Sequence, residues 1–227
     1  MLAAAGWAFL GASSLILGAF IAKSGRLSRH GLQLLIGFGA GTLVSAVAYD
    51  LVEEAVTVSV TGAAVALGFV AGALTYFVGD ELIDRMQGPS ETDVGSGIPI
   101  LLGAVLDGIP ESIVLGLTLV SGGPSIAILV AIFISNVPES VAASSDMLAA
   151  GRPAAWVIRI WLVVAVASAI AAAVGYAAFS NASGDVIAFI DAFAAGAILS
   201  LLADELLPAA HGDSDKLVGL MTACGFA

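Results

Sequence analysis

The chain has 227 residues, 59% hydrophobic and 11% charged, with a mean hydropathy of +1.07. Soluble domains carry roughly a quarter charged residues and disordered chains carry few apolar ones, so both classes are excluded. The formal charge of −11 is the wrong sign for binding nucleic acid or for a basic patch on an anionic membrane. What remains is an all-α polytopic membrane protein, since each span needs about 20 apolar residues.

Apolar runs between breakers predict spans near 5–22, 32–52, 61–79, 98–120, 125–149, 155–180 and 186–208, then a short apolar piece at 217–227. The first run carries Lys23, Arg26 and Arg29 behind it rather than ahead, so it reads as a retained span and not a cleaved signal peptide. One transmembrane domain, 1–227, is expected, with a cytoplasmic loop at 80–97 inside it. Arg85 follows span 3, Arg152 and Arg159 follow span 5, and Lys216 follows span 7, while the connections near 53–60, 121–124 and 181–185 carry no basic residue. By the positive-inside rule the basic connections lie in the cytoplasm and the N-terminus lies outside a cell (inner) membrane. Cys224 is the single cysteine, which leaves no internal disulfide and no Cys/His zinc framework.

Two parts of the chain echo each other. Phe38-Gly39-Ala40-Gly41-Thr42-Leu43-Val44-Ser45 in span 2 matches Phe193-Ala194-Ala195-Gly196-Ala197-Ile198-Leu199-Ser200 in span 7, and the match continues through Asp50 with Glu205 at the same offset of 155. Gly108-Ile109-Pro110-Glu111-Ser112 in span 4 likewise echoes Asn136-Val137-Pro138-Glu139-Ser140 in span 5. This predicts an inverted repeat, spans 1–3 against 6–8, around a Pro-kinked pair of helices 4 and 5. Part of the echo also fits the small-residue grammar of membrane helices, as in Gly37-x-x-x-Gly41. The repeat calls for a partner of span 3 after span 7, so the last helix, 217–227, is expected to be short or truncated.

The acids within the spans carry the chemistry. An ionisable group at mid-bilayer costs roughly 2.5–3.5 kcal/mol on insertion scales, so Asp107, Glu111 and Glu139 together cost something near 8–10 kcal/mol. Glu111 precedes the Gly122-Gly123-Pro124 turn and Glu139 follows it, which puts both roughly 16–23 Å below the outer face. Asp107 and Glu111 share one face of helix 4 at i, i+4 spacing, and Ser135 and Glu139 repeat that spacing on helix 5. Pro110 and Pro138 leave the carbonyls of Leu106 and Ile134 without helical donors. Carboxylates, the Asn136 amide and freed carbonyls converging in lipid describe a cation site with oxygen ligands. For Ser112, Ser135 and Ser140, hydrogen bonding within the bundle is an equally good reading.

At these residues the chain resembles the ZIP family of divalent-metal transporters. That family carries His-Asn-x-Pro-Glu-Gly in its fourth span and a related Asn-x-Pro-Glu motif in its fifth. The corresponding residues here are Asp107-Gly108-Ile109-Pro110-Glu111-Ser112 and Ser135-Asn136-Val137-Pro138-Glu139-Ser140. Ala203-Asp204-Glu205-Leu206-Leu207-Pro208 before His211 is similar to the family's His-Glu-x-x-Pro ending of span 7. Asp107 stands where the family has His, Gly108 where it has a bridging Asn, and Ser135 where His or Gln is frequent. An all-oxygen site of this kind shifts preference from zinc toward harder ions such as Mn²⁺.

The resemblance implies an eight-helix ZIP-like bundle that takes up a divalent cation, Zn²⁺ or else Mn²⁺ or Fe²⁺, with no prosthetic group and no enzymatic reaction. Asp50, Glu53 and Glu54 would gather cations outside. Asp107, Glu111, Ser135, Asn136 and Glu139 would bind one in mid-membrane, and Asp204, Glu205 and His211 would receive it inside. Glu53 and Glu54 also read as solvated helix caps. The expected partners are the lipid bilayer and divalent metal ions, with no nucleic acid, and a homodimer is allowed. A non-transporting metal sensor and a proton-linked carrier stay open as alternatives. An intramembrane aspartyl protease is a remote one, because Tyr49-Asp50 and Gly79-Asp80 fit its motifs only in part, with Phe77 where a Gly is needed.

Overall fold

A computed structural model describes residues 1–87, 108, 111–113, 115, 116, 119, 125–211 and 216–227, apart from the side chains of Ile83 and Asp84. The described residues form helices joined by short turns. We number them α1 (Leu2–Ser24), α2 (Arg29–Val58), α3 (Ala63–Gln87), α4 (the helical positions among 108–119), α5 (Ile126–Ala149), α6 (Ala154–Phe179), α7 (Gly184–Ala210) and α8 (Lys216–Phe226). Six of these, α1, α2, α3, α5, α6 and α7, are long and apolar enough to cross a membrane, and the protein is a multi-pass membrane protein.

Local chemistry sets the boundaries. Gly25 closes α1 in a left-handed conformation, φ 61°, which a side chain would resist. The Ser28 hydroxyl opens α2 by accepting from Gly31 N at 3.0 Å, and Ser125 opens α5 by accepting from Ile128 N at 3.2 Å. Two ends differ from the apolar runs. α2 continues past 52 to Val58. α3 runs to Gln87, so 80–87 of the expected loop is helical, and Glu81 and Arg85 pair across one turn there at 2.8 Å. The remainder of that loop, 88–97, lies outside the described residues, as does most of span 4.

Lipid gives apolar helices no hydrophobic reason to associate, so close packing must hold them together. Glycines supply it. Gly41 of α2 lies against the Thr222 carbonyl of α8, and Gly225 of α8 lies against the Phe38 carbonyl of α2. Gly196 of α7 sits on the Phe69 carbonyl of α3, and Gly72 of α3 sits on the Phe193 carbonyl of α7. α1 packs on α5 through Gly18, where a Cβ would stand 2.7 Å from the Val137 carbonyl. α4 packs on α6 through Gly116, where a Cβ would stand 2.6 Å from the Ala172 carbonyl. α8 has only 11 residues and packs along α2 without the length of a span. Trp161, fully buried on α6, donates its indole N–H to Ser144 of α5 at 2.8 Å.

The two ends of the bundle are unlike. Asp185, at the start of α7, accepts from Ser59 Oγ at 3.1 Å and Val60 N at 2.9 Å, which levels the end of α2 with the start of α7. Neither of these segments carries a Lys or Arg. Five of the seven Lys and Arg residues fall toward the other ends of their helices, and Arg26 and Arg152 lie in the connections there; we call this the basic end, and the Ser59–Asp185 end the far end.

Candidate functional site

α5 runs unbroken through Pro138. The proline removes the donor that the Ile134 carbonyl would receive in a regular helix. Gly39 of α2 packs there, and a Cβ on it would stand 3.5 Å from that carbonyl oxygen and 3.1 Å from Ser135 Cα. The serines near the Pro-Glu motifs serve their own helices. Ser140 Oγ donates to the carbonyls of Asn136 at 2.7 Å and Val137 at 3.0 Å, Ser135 Oγ donates to Ile132 O at 3.1 Å, and Ser112 Oγ donates to Gly108 O. Such bonds keep backbone oxygens satisfied where lipid cannot.

Glu111 of α4 and Asn136 and Glu139 of α5 line one cavity, closed by Ala12 and Leu15 of α1 and by Ser168 of α6. It has about 10 Å³ of room for the centre of a water-sized sphere, enough for one water or one bare ion but not for an ion with its hydration shell. Glu111 is 3% exposed, and its buried Oε2 has no hydrogen-bond partner. Glu111 lies within electrostatic reach of Glu139, and Glu139 within that of Glu205 on α7. Glu205, expected at the inner exit, is exposed and does not line the cavity, and it accepts a hydrogen bond from the Tyr76 hydroxyl of α3.

Asp107, the third expected mid-membrane carboxylate, lies outside the described residues. Among the described residues no three His, Cys, Asp or Glu side chains come together as a group that could hold a metal ion.

The remaining predicted residues are spread along the bundle. Asp50, half-buried, accepts from Ser125 Oγ at 3.0 Å, linking α2 to the start of α5. Glu53 and Asp204 are exposed, and Glu54 is half-buried. His211 is exposed at the basic end with Nδ1 3.0 Å from Leu207 O of its own helix. Toward Asp50, Leu43, Val47, Leu51, Ile128, Ile132 and Ile198 line a second, apolar cavity that also borders Glu111; we call this ring of side chains the apolar collar. Asp50 and Asp80, the aspartates of the protease alternative, sit at depths that differ by about 13 Å at 1.5 Å per residue, whereas two such acids must nearly touch to share a proton.

Three residues went unnoticed in the sequence. Tyr76 gave no signal beyond a tyrosine inside span 3, and Ser168 none beyond a serine in span 6. Asp191 did give one, as an acid within the apolar run of span 7; it is 4% exposed and its Oδ2 has no partner. No family model matches the chain, and no curated protein matches it.

Proposed function

We propose that this chain is a ZIP-type transporter that carries a divalent cation, Zn²⁺ or else Mn²⁺ or Fe²⁺, across the membrane into the cytoplasm. One observation carries the reading. Glu111 and Glu139, on two different helices, face a single ion-sized cavity inside a membrane bundle, with a Glu111 oxygen unpartnered. A buried carboxylate with no donor is costly, and a dehydrated cation would satisfy it. Glu111, Glu139 and the Asn136 amide supply oxygen ligands, and Asp107 is expected to complete the set. The absence of imidazole from that set favours Mn²⁺ over Zn²⁺.

The repeat gives this site a way to alternate. The π-helical stretches Ala46–Val52 of α2 and Leu202–Leu206 of α7 fall on matched parts of the repeat and hold Asp50 and Glu205. The glycine seams match too, α2 on α8 as α7 on α3, and α1 on α5 as α6 on α4. Such pairing supports an inverted repeat of spans 1–3 and 6–8 around helices 4 and 5, which could rock about the fixed site. The apolar collar separates the cavity from the far end, while Glu205 and Tyr76 lie toward the basic end. With the basic end in the cytoplasm and the N-terminus outside, cargo would leave past Glu205, Asp204 and His211.

Calorimetric titration of the purified chain with Mn²⁺ tests the site. The parent should bind, and Glu111→Gln combined with Glu139→Gln should abolish binding in the cavity. Unchanged heats and stoichiometry in that variant would reject the assignment.

A further inference from the structure

The far end holds a second buried acid outside the central cavity. Asp191 lies on α7 six residues beyond Asp185, about 9 Å along the helix at 1.5 Å per residue. Glu54 lies on α2 five residues before Ser59, about 7.5 Å by the same rise. Because Asp185 holds Ser59 and Val60, these two measures bring Asp191 and Glu54 to the same depth on facing helices. The helices approach closely there, through the fully buried alanines Ala55, Ala188 and Ala192. Asp191 and Glu54 lie within electrostatic reach of one another.

Asp191 is 4% exposed, and its buried Oδ2 meets no hydrogen-bond donor. Nor does a basic side chain stand at this depth, since every Lys and Arg of the chain falls toward the basic end. A cation from solution would neutralise these two neighbouring carboxylates. Asp50 lies one turn deeper on α2, followed by the apolar collar and then the Glu111–Glu139 cavity.

We propose that Asp191 and Glu54 form a second cation site, which takes a divalent ion from the far side before it passes Asp50 and the collar. The proposal rests on the transport reading for the ion's onward path, but not for its binding. Glu54 is half-buried and reaches the ion from the side open to solvent, whereas Asp191 anchors it from within the bundle. Oxygen ligands alone again favour a hard divalent cation.

Bound Mn²⁺ is counted by the loss of the free-ion electron paramagnetic resonance signal, using the full chain in lipid nanodiscs. The parent should bind two ions per chain. Asp191→Asn, which preserves shape, should bind one. Glu54→Gln, at a half-exposed position where folding is not at stake, should weaken one of the two ions at least tenfold. The Glu111→Gln/Glu139→Gln variant should retain one ion, which further replacement of Asp191 by Asn removes. If Asp191→Asn and Glu54→Gln both keep the parent's two ions at unchanged affinity, the second site does not exist. If the central double variant keeps both ions while Asp191→Asn loses one, the far-end site stands and the central assignment fails. A parent that binds no Mn²⁺ overturns both.

Discussion

Asp50 and Glu205 occupy matched positions 155 residues apart, each within the π-helical stretch of its span and each accepting a hydrogen bond from a hydroxyl on another helix. Ser125 of α5 holds Asp50 at 3.0 Å, and Tyr76 of α3 holds Glu205. A π-helical turn inserts an extra residue and shifts the side chains beyond it around the helix axis. In both spans this falls at the acid, half-buried in the case of Asp50 and exposed in that of Glu205. One acid lies beyond the apolar collar and the other on the basic side of the cavity, so the pair brackets the central site.

On the proposed transport reading, the Tyr76–Glu205 contact should control release of the ion. A hydrogen bond to a charged group contributes about 1.5–3 kcal/mol, roughly ten- to a hundredfold in rate if it guides the ion out. Tyr76→Phe should slow Mn²⁺ flux through proteoliposomes by about tenfold or more while leaving equilibrium binding at Glu111 and Glu139 intact. Equal flux in the variant would show that this hydroxyl only orders the helices.

Glycine contacts should govern stability in a position-specific way. Gly196→Val drives a branched side chain into the Phe69 carbonyl, so it should separate α7 from α3 and cost on the order of 1–3 kcal/mol or more. Gly219→Ala meets nothing within 4 Å and should gain up to about 1 kcal/mol from helix propensity. Thermal aggregation in detergent, followed by size-exclusion chromatography, ranks the three proteins. A Gly196→Val protein as stable as the parent would contradict the packing described.

Cargo binding should depend on pH with a definite sign. Carboxylate ligands must be deprotonated to coordinate a metal, so binding releases protons. Mn²⁺ affinity should therefore be highest at neutral to alkaline pH and fall as the solution is acidified. Titrations in two buffers of different ionisation enthalpy would report the proton release. Binding that is indifferent to pH, with no proton released, would argue against carboxylate ligands.

Much of the fold was legible because membrane spans are written as length and apolarity. Six predicted spans correspond to long helices, and the short 217–227 piece is the 11-residue α8. The helix extensions at 53–58 and 80–87 were not legible, since charged and polar residues continue a helix into water without any apolar signal. The Pro-Glu motifs placed Glu111 and Glu139 in the bundle because prolines and acids are rarely kept in lipid without reason. The nearness of Glu205 to Glu139 was obscured, because a regular 3.6-residue period misplaces side chains beyond a π-helical stretch. Asp191 was passed over although it stands as an acid within an apolar run, and its relation to Glu54 depends on which faces of α2 and α7 meet. The close approach of Gly41 and Gly196 to carbonyls was likewise only small-residue grammar until the helices were seen together.

Under the proposed function, Glu111 and Glu139 carry a divalent cation across the membrane. The most direct test is uptake of Mn²⁺ and Zn²⁺ into proteoliposomes by the parent and by the Glu111→Gln/Glu139→Gln variant, side by side. The parent should take up both ions, Mn²⁺ faster, and the variant none above empty liposomes. Equal uptake by both proteins, or metal bound by the parent with no uptake at all, would contradict the proposed function.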